Sequence, residues 1–239
     1  MTEQSSGVNQ AGAQKPMGIL GRLLNVFVAP QSTFEAERQQ PKWLVPFIVY
    51  MVLMFAWMAI VQPVLVQEQR EAMMEQFEKQ NIPEEQQQQA MQRAEQWGAI
   101  MLWVGPLITQ IIMLLIVAAV WLFVSNVLLG GAAKFTHTLS VTAYSWLVVV
   151  VGLLIKAPIM LKRETVDVHF SPAAFLTDNE SFIYNLFKQF DLFSIWSFFI
   201  VSIGLAVVTQ KSTRNVWPWV AIVYLIYFVG AASFQNLFG

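Results

Sequence analysis

Apolar and polar positions follow one another along this chain in long blocks, and five of the apolar blocks are long enough to cross a membrane. The uncharged runs cover residues 43–67, 96–133, 135–155, 192–210 and 215–239. A helix needs about 20 apolar residues to cross about 30 Å of hydrocarbon, whereas barrel strands alternate apolar and polar positions. The pattern therefore predicts an all-α integral membrane bundle of five transmembrane helices, with spans at about 43–66, 99–129, 138–161, 192–210 and 216–236.

The segment before the first span divides into a tail and two short helices. Residues 1–16 are polar and lack an apolar core, which predicts a disordered tail without a cleavable signal peptide. Residues 17–42 predict a cytosolic pair of helices ahead of the five-span domain, 43–239. The first is amphipathic, with Arg22 and Asn25 away from an apolar side formed by Ile19, Leu20, Leu23, Leu24 and Phe27.

Two placements of that amphipathic helix fit the pattern equally well. It can lie on the membrane surface, or it can pack against the end of the bundle. Ser32 and Glu35 then have the spacing of a capping box, which predicts a second helix that ends before Pro41.

The polar segment 67–98 separates the first two spans. It is rich in Glu and Gln, which favour helices, and its helix breakers are Asn81 and Pro83. We expect an extramembrane helical hairpin that continues both spans. It would serve either as a docking arm for a protein partner or as a solvated hairpin without one.

Composition supports membrane insertion and excludes several kinds of site. Charged residues make up 12% of the chain, against about a quarter in soluble proteins, and mean hydropathy is +0.52. Cysteine is absent, which removes disulfides and thiol nucleophiles, and the net charge of −1 gives no indication of nucleic-acid binding. Basic residues do not decide the orientation, since the two predicted sides carry seven each.

Candidate catalytic groups are scarce. His137 and His169 each lack a second histidine at metal-binding spacing. The chain also lacks the G-x-S-x-G, Walker and dinucleotide fingerprints. We therefore expect neither enzymatic activity nor a metal or cofactor.

The few polar residues in or beside the spans are the candidate functional positions. Gln110 and Asn126 can form hydrogen bonds across helices. Lys156 can extend to the interface or pair with Asp191, and Asp191 can cap the fourth span.

The last two predicted spans form a tight hairpin. Ser197 and Gly204 lie seven residues apart on one face, which permits close approach of a neighbouring helix. Lys211 and Arg214 mark a short basic turn between the spans.

Four stretches resemble, in chain order, parts of the Ypt-interacting protein (Yip) family in its bacterial branch. They are VFVAPQSTFEAERQQPKWLVPF at 26–47, LLGGAAKFTHTLSVTAYS at 128–145, KAP at 156–158, and DLFSIW at 191–196 followed by IGL at 203–205 and KSTR at 211–214. The resemblance covers about residues 25–230 and adds Pro158 and Trp196 to the candidate positions.

The resemblance implies a five-span membrane protein with a cytosolic N-terminus and an outer C-terminus, which in bacteria means the cytoplasmic membrane. Eukaryotic members of the family act in vesicle traffic and bind Rab-type GTPases, a pathway that bacteria lack. We therefore expect a non-enzymatic protein that organises the bilayer or protein partners, through residues 67–97 or the N-terminal helix, and that can form homo-oligomers. The alternative is a small transporter, channel or lipid-translocating protein in which Gln110, Asn126 and Lys156 line a polar path.

Overall fold

The computed structural model describes residues 17–177 and 181–238, without the side chains of residues 95, 96, 99 and 238. The predicted tail, 1–16, lies outside the described residues. The helices, in chain order, are α1 (Ile19–Val28), α2 (Pro30–Gln39), α3 (Leu44–Lys79), α4 (Glu84–Phe123), α5 (Phe135–Arg163), α6 (Phe182–Gln189), α7 (Leu192–Thr209) and α8 (Thr213–Phe238).

Five of these helices, α3, α4, α5, α7 and α8, are long and apolar enough to cross a membrane, which confirms the predicted fold class. Helix α4 continues into a π-helical turn at Val124–Leu128. Successive spans run in opposite directions. The start of α3 and the turns after α4 and α7 therefore lie at one side, the N-terminal face, and the α3–α4 and α5–α7 connections lie at the other, the hairpin face.

Helix α5 is the centre of the bundle. In its most apolar stretch 67% of the residues are buried, against 22% in α4 and in α8. It packs against α3, α4 and α7. Its first turns carry buried small polar residues, and Thr142 and Ser145 satisfy their own hydroxyls by donating to backbone oxygens of α5. Short side chains of this kind let neighbouring helices approach closely in a membrane.

Two glycines set the close antiparallel packing of α5 and α7. A β-carbon at Gly204 of α7 would lie 2.9 Å from Val141 of α5. Towards the hairpin face, a β-carbon at Gly152 of α5 would overlap the ring of Phe193 of α7. The two helices therefore touch near both ends of α7 at positions that admit no side chain.

The extramembrane hairpin forms as a direct extension of two spans. Helix α3 continues without interruption to Lys79, and Asn81 adopts a left-handed backbone conformation (φ 49°) in the turn that ends α3. Helix α4 begins after Pro83. At the base of the hairpin, Glu68 accepts hydrogen bonds from the hydroxyl of Thr165 (2.7 Å) and the backbone N–H of Val166 (2.9 Å).

Helices α1 and α2 form an antiparallel pair that packs against α7 and α5 at the side of the bundle, rather than a helix separate from it. The Phe27 and Trp196 rings lie 6.1 Å apart, and Phe34 lies beside Gly204. Trp196 and Gly204 are separated by about 12 Å along the axis of α7. The pair therefore reaches well into the layer crossed by α7, and we call residues 19–39 the re-entrant pair.

The re-entrant pair corrects two predictions. Arg22 does not point away from the bundle, because it is buried together with Val26 on the inner side of α1. Helix α2 begins at Pro30 without a side-chain cap, so the capping box of Ser32 and Glu35 does not form. Ser32 instead donates to the carbonyl of Ala29 at 2.8 Å.

We predict that Gly152→Ala destabilises the protein by about 1–3 kcal/mol, the usual cost of overpacking a well-packed interior. The new methyl group would have to displace the Phe193 side chain. Gly105→Ala is the matched control, because nothing lies within 4 Å of a β-carbon at that position in α4. Thermal unfolding in detergent measures both variants, and an equal melting temperature for the two would contradict the proposed contact.

Candidate functional site

The most extensively hydrogen-bonded side chain at the N-terminal face is the carboxylate of Glu37. One oxygen, Oε1, accepts from Arg22 Nη1 at 2.7 Å and from the Tyr144 hydroxyl at 3.2 Å. The other, Oε2, accepts from the backbone N–H of Lys42 at 2.7 Å and from the Ser140 hydroxyl at 2.8 Å. A single carboxylate thus joins α1, α2, the start of α3 and α5.

The Arg22–Glu37 ion pair is almost completely shielded from solvent, since the side chains are 3% and 1% exposed. Burying two charges costs several kcal/mol per ion unless further hydrogen bonds compensate them. Arg22 has such bonds: Nη1 donates to the carbonyl of Gln40 (2.9 Å) and Nε to that of Met17 (3.2 Å). The hydrogen-bonding capacity of Arg22 is therefore met by backbone carbonyls just before α1 and just after α2.

Apolar packing holds the carboxylate in place. Phe34, one helical turn before Glu37, is fully buried and makes an edge-to-face contact with Tyr144, with ring centroids 6.1 Å apart. The absence of a side chain at Gly204 makes room for this ring. Positions 33, 34 and 37 consequently form the inner side of α2, while Glu35 lies exposed and bonds to Gln31.

A second buried ion pair lies towards the hairpin face. Lys156 Nζ donates to Asp191 Oδ2 at 3.2 Å, and both side chains are about one tenth exposed. Oδ2 also accepts from the N–H of Phe170 at 2.7 Å, while Oδ1 accepts from the N–H of Phe193 at 3.0 Å. Asp191 thus caps α7 and pairs with α5 at once, and Lys156 does not extend to the interface.

A more exposed charged cluster surrounds this pair on the α5–α7 connection. Lys188 lies 2.6 Å from Asp167, and the Tyr184 hydroxyl donates to Asp167 at 3.3 Å. His169 lies 3.8 Å from Asp167. Burial lowers the pKa of His169, and this effect outweighs the opposing attraction of Asp167. The cluster anchors α6 to the preceding loop.

Gln110 and Asn126 have separate partners. Gln110 accepts from the Tyr50 hydroxyl at 2.9 Å, a bond that crosses from α4 to α3. Asn126 does not bond across helices as expected. Its side chain bonds to the backbone N–H (2.7 Å) and carbonyl (3.0 Å) of Ala133, which closes the turn after α4.

The candidate residues of the last two spans do not form one common site either. Ser197 bonds to Tyr224 of α8 at 3.1 Å, whereas Gly204 faces α5 and α2, so the predicted common packing face serves different neighbours. Lys211 and Arg214 are exposed at the α7–α8 turn. Pro158 lies within α5, near Lys156.

Sequence reasoning missed Glu37 and the burial of Arg22. Their ion pair joins two helices across a single-residue connection, and the two hydroxyl donors come from residues more than a hundred positions away. Within the sequence around them, the pair is visible only as one Arg and one Glu in two short helices. That pattern is equally typical of helices exposed to solvent.

The clusters orient helices and offer little for chemistry. Across residues 17–177 and 181–238, no group of three His, Asp or Glu side chains is placed to hold a metal ion. The buried carboxylates of Glu37 and Asp191 each face a cation and backbone N–H groups. The geometry is that of structural ion pairs that link helices.

A family model described as the Yip1 domain matches residues 24–234, nearly the whole of the described chain. The chain belongs to the Yip1 domain family. No curated protein and no solved structure matches it. The matched region begins within α1 and ends within α8. It includes the ion-paired carboxylates of Glu37 and Asp191, the whole of α3, α4, α5 and α7, and most of α8. The protein is therefore an integral, multi-pass membrane protein of this family, as the resemblance implied.

We predict that Glu37→Gln destabilises the Yip1 domain by about 3–5 kcal/mol, because it leaves the Arg22 charge buried without a counter-charge. Adding Arg22→Met should restore part of the loss, so that the double variant is more stable than the sum of the single changes indicates. Thermal unfolding in detergent measures all three variants.

Glu35→Gln provides the matched control, since Glu35 is an exposed carboxylate on the same helix. We expect a change within about 0.5 kcal/mol. Equal destabilisation by Glu35→Gln and Glu37→Gln would show that the buried pair does not hold the re-entrant pair in place.

Proposed function

We propose that this protein is a non-enzymatic organiser of the membrane, in which the re-entrant pair acts as a wedge in one leaflet. The observation that carries the proposal is the outward side of α1. Leu20, Leu24 and Val28 recur every four residues and are 73%, 70% and 81% exposed, although α1 packs beside membrane-crossing helices. At this depth, lipid is the neighbour such a stripe fits.

The dimensions of the re-entrant pair support a one-sided insertion. Each ten-residue helix is about 15 Å long, which is about half of the hydrocarbon thickness of about 30 Å. Two extra helices therefore widen the protein mainly in the half at the N-terminal face. Only their tip extends further, because Phe27 contacts Trp196, about 6 Å from the hairpin-face end of α7. Asymmetric insertion of helices favours membrane curvature.

The proposal includes an orientation. The resemblance to the Yip family supports a cytosolic N-terminus and an outer C-terminus in a bacterial cytoplasmic membrane. The wedge would then lie in the cytosolic leaflet, and the extramembrane hairpin would project from the other side.

The outer side of α2 supports self-association as part of the same proposal. Gln31 and Glu35 are exposed there and bond to each other at 3.0 Å. Polar groups at membrane depth usually face other protein rather than lipid. A second copy of this chain is a suitable cover for them.

A transporter is less well supported than an organiser. Gln110, Asn126 and Lys156 bond to Tyr50, Ala133 and Asp191 respectively, so each of the three is occupied by a different neighbour. In a liposome flux assay, transport that is abolished by Gln110→Leu or Lys156→Leu would nevertheless favour the transporter.

We predict that the purified protein, reconstituted in liposomes, gives smaller or more tubular vesicles than protein-free lipid, as measured by cryo-electron microscopy. Leu20→Gln with Leu24→Gln should reduce this effect, since polar side chains weaken insertion of α1. The matched control is Leu20→Ile with Leu24→Ile, which keeps both side chains apolar. Equal vesicle shapes for the Gln and Ile variants, at equal thermal stability, would overturn the wedge.

The extramembrane hairpin is the surface to which the proposal assigns a protein partner. Residues 67–97 carry seven glutamates against three basic residues, a net charge of −4. The whole excess lies beyond the base of the hairpin, at 71–92, where five glutamates face Lys79 alone. A surface of this charge favours a basic partner and an interaction that weakens with salt.

We predict that crosslinking in native membranes captures such a partner at low salt and that Glu75→Gln with Glu78→Gln lowers its yield. Lys211→Gln, an exposed charge at the opposite face, should leave the yield unchanged. A crosslinking pattern that is the same in all three proteins would argue for a solvated hairpin without a dedicated partner.

A further inference from the structure

A groove separates the two arms of the extramembrane hairpin where they leave the membrane layer. Its volume is about 550 Å³, and its walls include Val66 and Met73 of α3 and Met91, Trp97 and Met101 of α4. The arms diverge here, because α3 and α4 both pack on α5 but scarcely on each other. The walls are mostly apolar, in a segment that is otherwise rich in Glu and Gln.

The groove crosses the boundary between hydrocarbon and water. Its lower end is lined by Gln62, Met101 and Leu102, which lie in the apolar parts of α3 and α4. Its upper end reaches Met73 and Met91, in the polar hairpin. A ligand that fills it must therefore be apolar over one part and can be polar over the other.

Arg70 is the charged side chain that lines this groove. It is exposed, and no carboxylate whose side chain the structure describes lies within ion-pair distance of it. The neighbouring acids are engaged elsewhere: Glu68 binds Thr165, Glu71 binds Gln67 and Glu75 pairs with Lys79. The guanidinium is therefore available to an anion from outside the chain.

We propose that this groove binds an anionic phospholipid, with one acyl chain between the arms and the phosphate at Arg70. Guanidinium groups match the geometry of phosphate oxygens through paired hydrogen bonds. The flexible thioethers of Met73, Met91 and Met101 adapt to a disordered chain. Continuity of the lower end with the lipid layer gives an acyl chain a direct path into the groove, which a water-borne peptide lacks.

The site goes beyond the proposed wedge, since it lies at the opposite face and does not depend on membrane shape. It would tie the base of the hairpin to the lipid composition of the adjacent leaflet. Bound lipid would also close the gap between α3 and α4 that the protein itself leaves open.

The test uses the full chain in vesicles that contain phosphatidylglycerol or phosphatidylcholine, each with a photoreactive acyl chain, followed by mass-spectrometric mapping of the adducts. We expect adducts on the peptides containing Met91 and Trp97, with labelling about fivefold higher for phosphatidylglycerol. Arg70→Gln should remove this preference. Arg93→Gln, an exposed arginine of the same hairpin outside the groove, should retain it.

A second variant and an internal control distinguish the groove from ordinary lipid contact. Val66→Trp should lower groove labelling by both lipids by filling the space, while the exposed Leu225 and Ile226 of α8 should label equally with both lipids in every protein. Equal groove labelling by the two lipids, unchanged labelling in Arg70→Gln, or a co-purified peptide in place of lipid would overturn the proposal.

Discussion

The position of the N-terminal helices depends on one carboxylate. Glu37 accepts hydrogen bonds from α1, from the backbone at the start of α3 and from two hydroxyls of α5, and it lies on α2 itself. A carboxylate left alone in such a site would be strongly destabilising. The cluster is therefore either complete, with the re-entrant pair docked, or broken, with both charges returned to water. Few intermediate arrangements satisfy its donors.

The contact of α5 with α7 extends this constraint through the bundle. Gly204 and Val141 touch near the Glu37 cluster, and Gly152 and Phe193 touch near the Lys156–Asp191 pair. A shift of α7 along its axis would disturb both ion pairs, because the two helices are fixed at two levels. Close packing of α5 on α7 thus links the N-terminal face to the hairpin face.

The architecture could be predicted because lipid imposes a simple rule. Uncharged runs of about 20 residues are required for a span, and α3, α4, α5, α7 and α8 all follow that rule. The capping role of Asp191 could also be predicted, since a carboxylate directly before an apolar helix suits an N-terminal cap. Its pairing with Lys156 remained one of two alternatives, because the sequence does not fix the rotation of α5 about its axis.

The two helices of the re-entrant pair were predicted, but their depth and their buried side could not be, for a physical reason. Helices of ten residues are too short to be recognised as membrane segments, and the hydrophobic pattern of α1 fits a surface helix equally well. What places Arg22 inside is its bond to Glu37, and what places Glu37 inside is α5. Such long-range compensation of charge has no local signature. The predicted interhelical hydrogen bond of Asn126 was wrong for a similar reason, since its partner lies in the turn that follows α4.

The re-entrant pair has a consequence for biosynthesis. Its residues are synthesised before α5 and α7, against which they pack and which begin about a hundred residues later or more. Until those spans are inserted, Glu37 has neither Ser140 nor Tyr144 as a donor. A segment that is synthesised early therefore reaches its final place only after the later spans have been inserted.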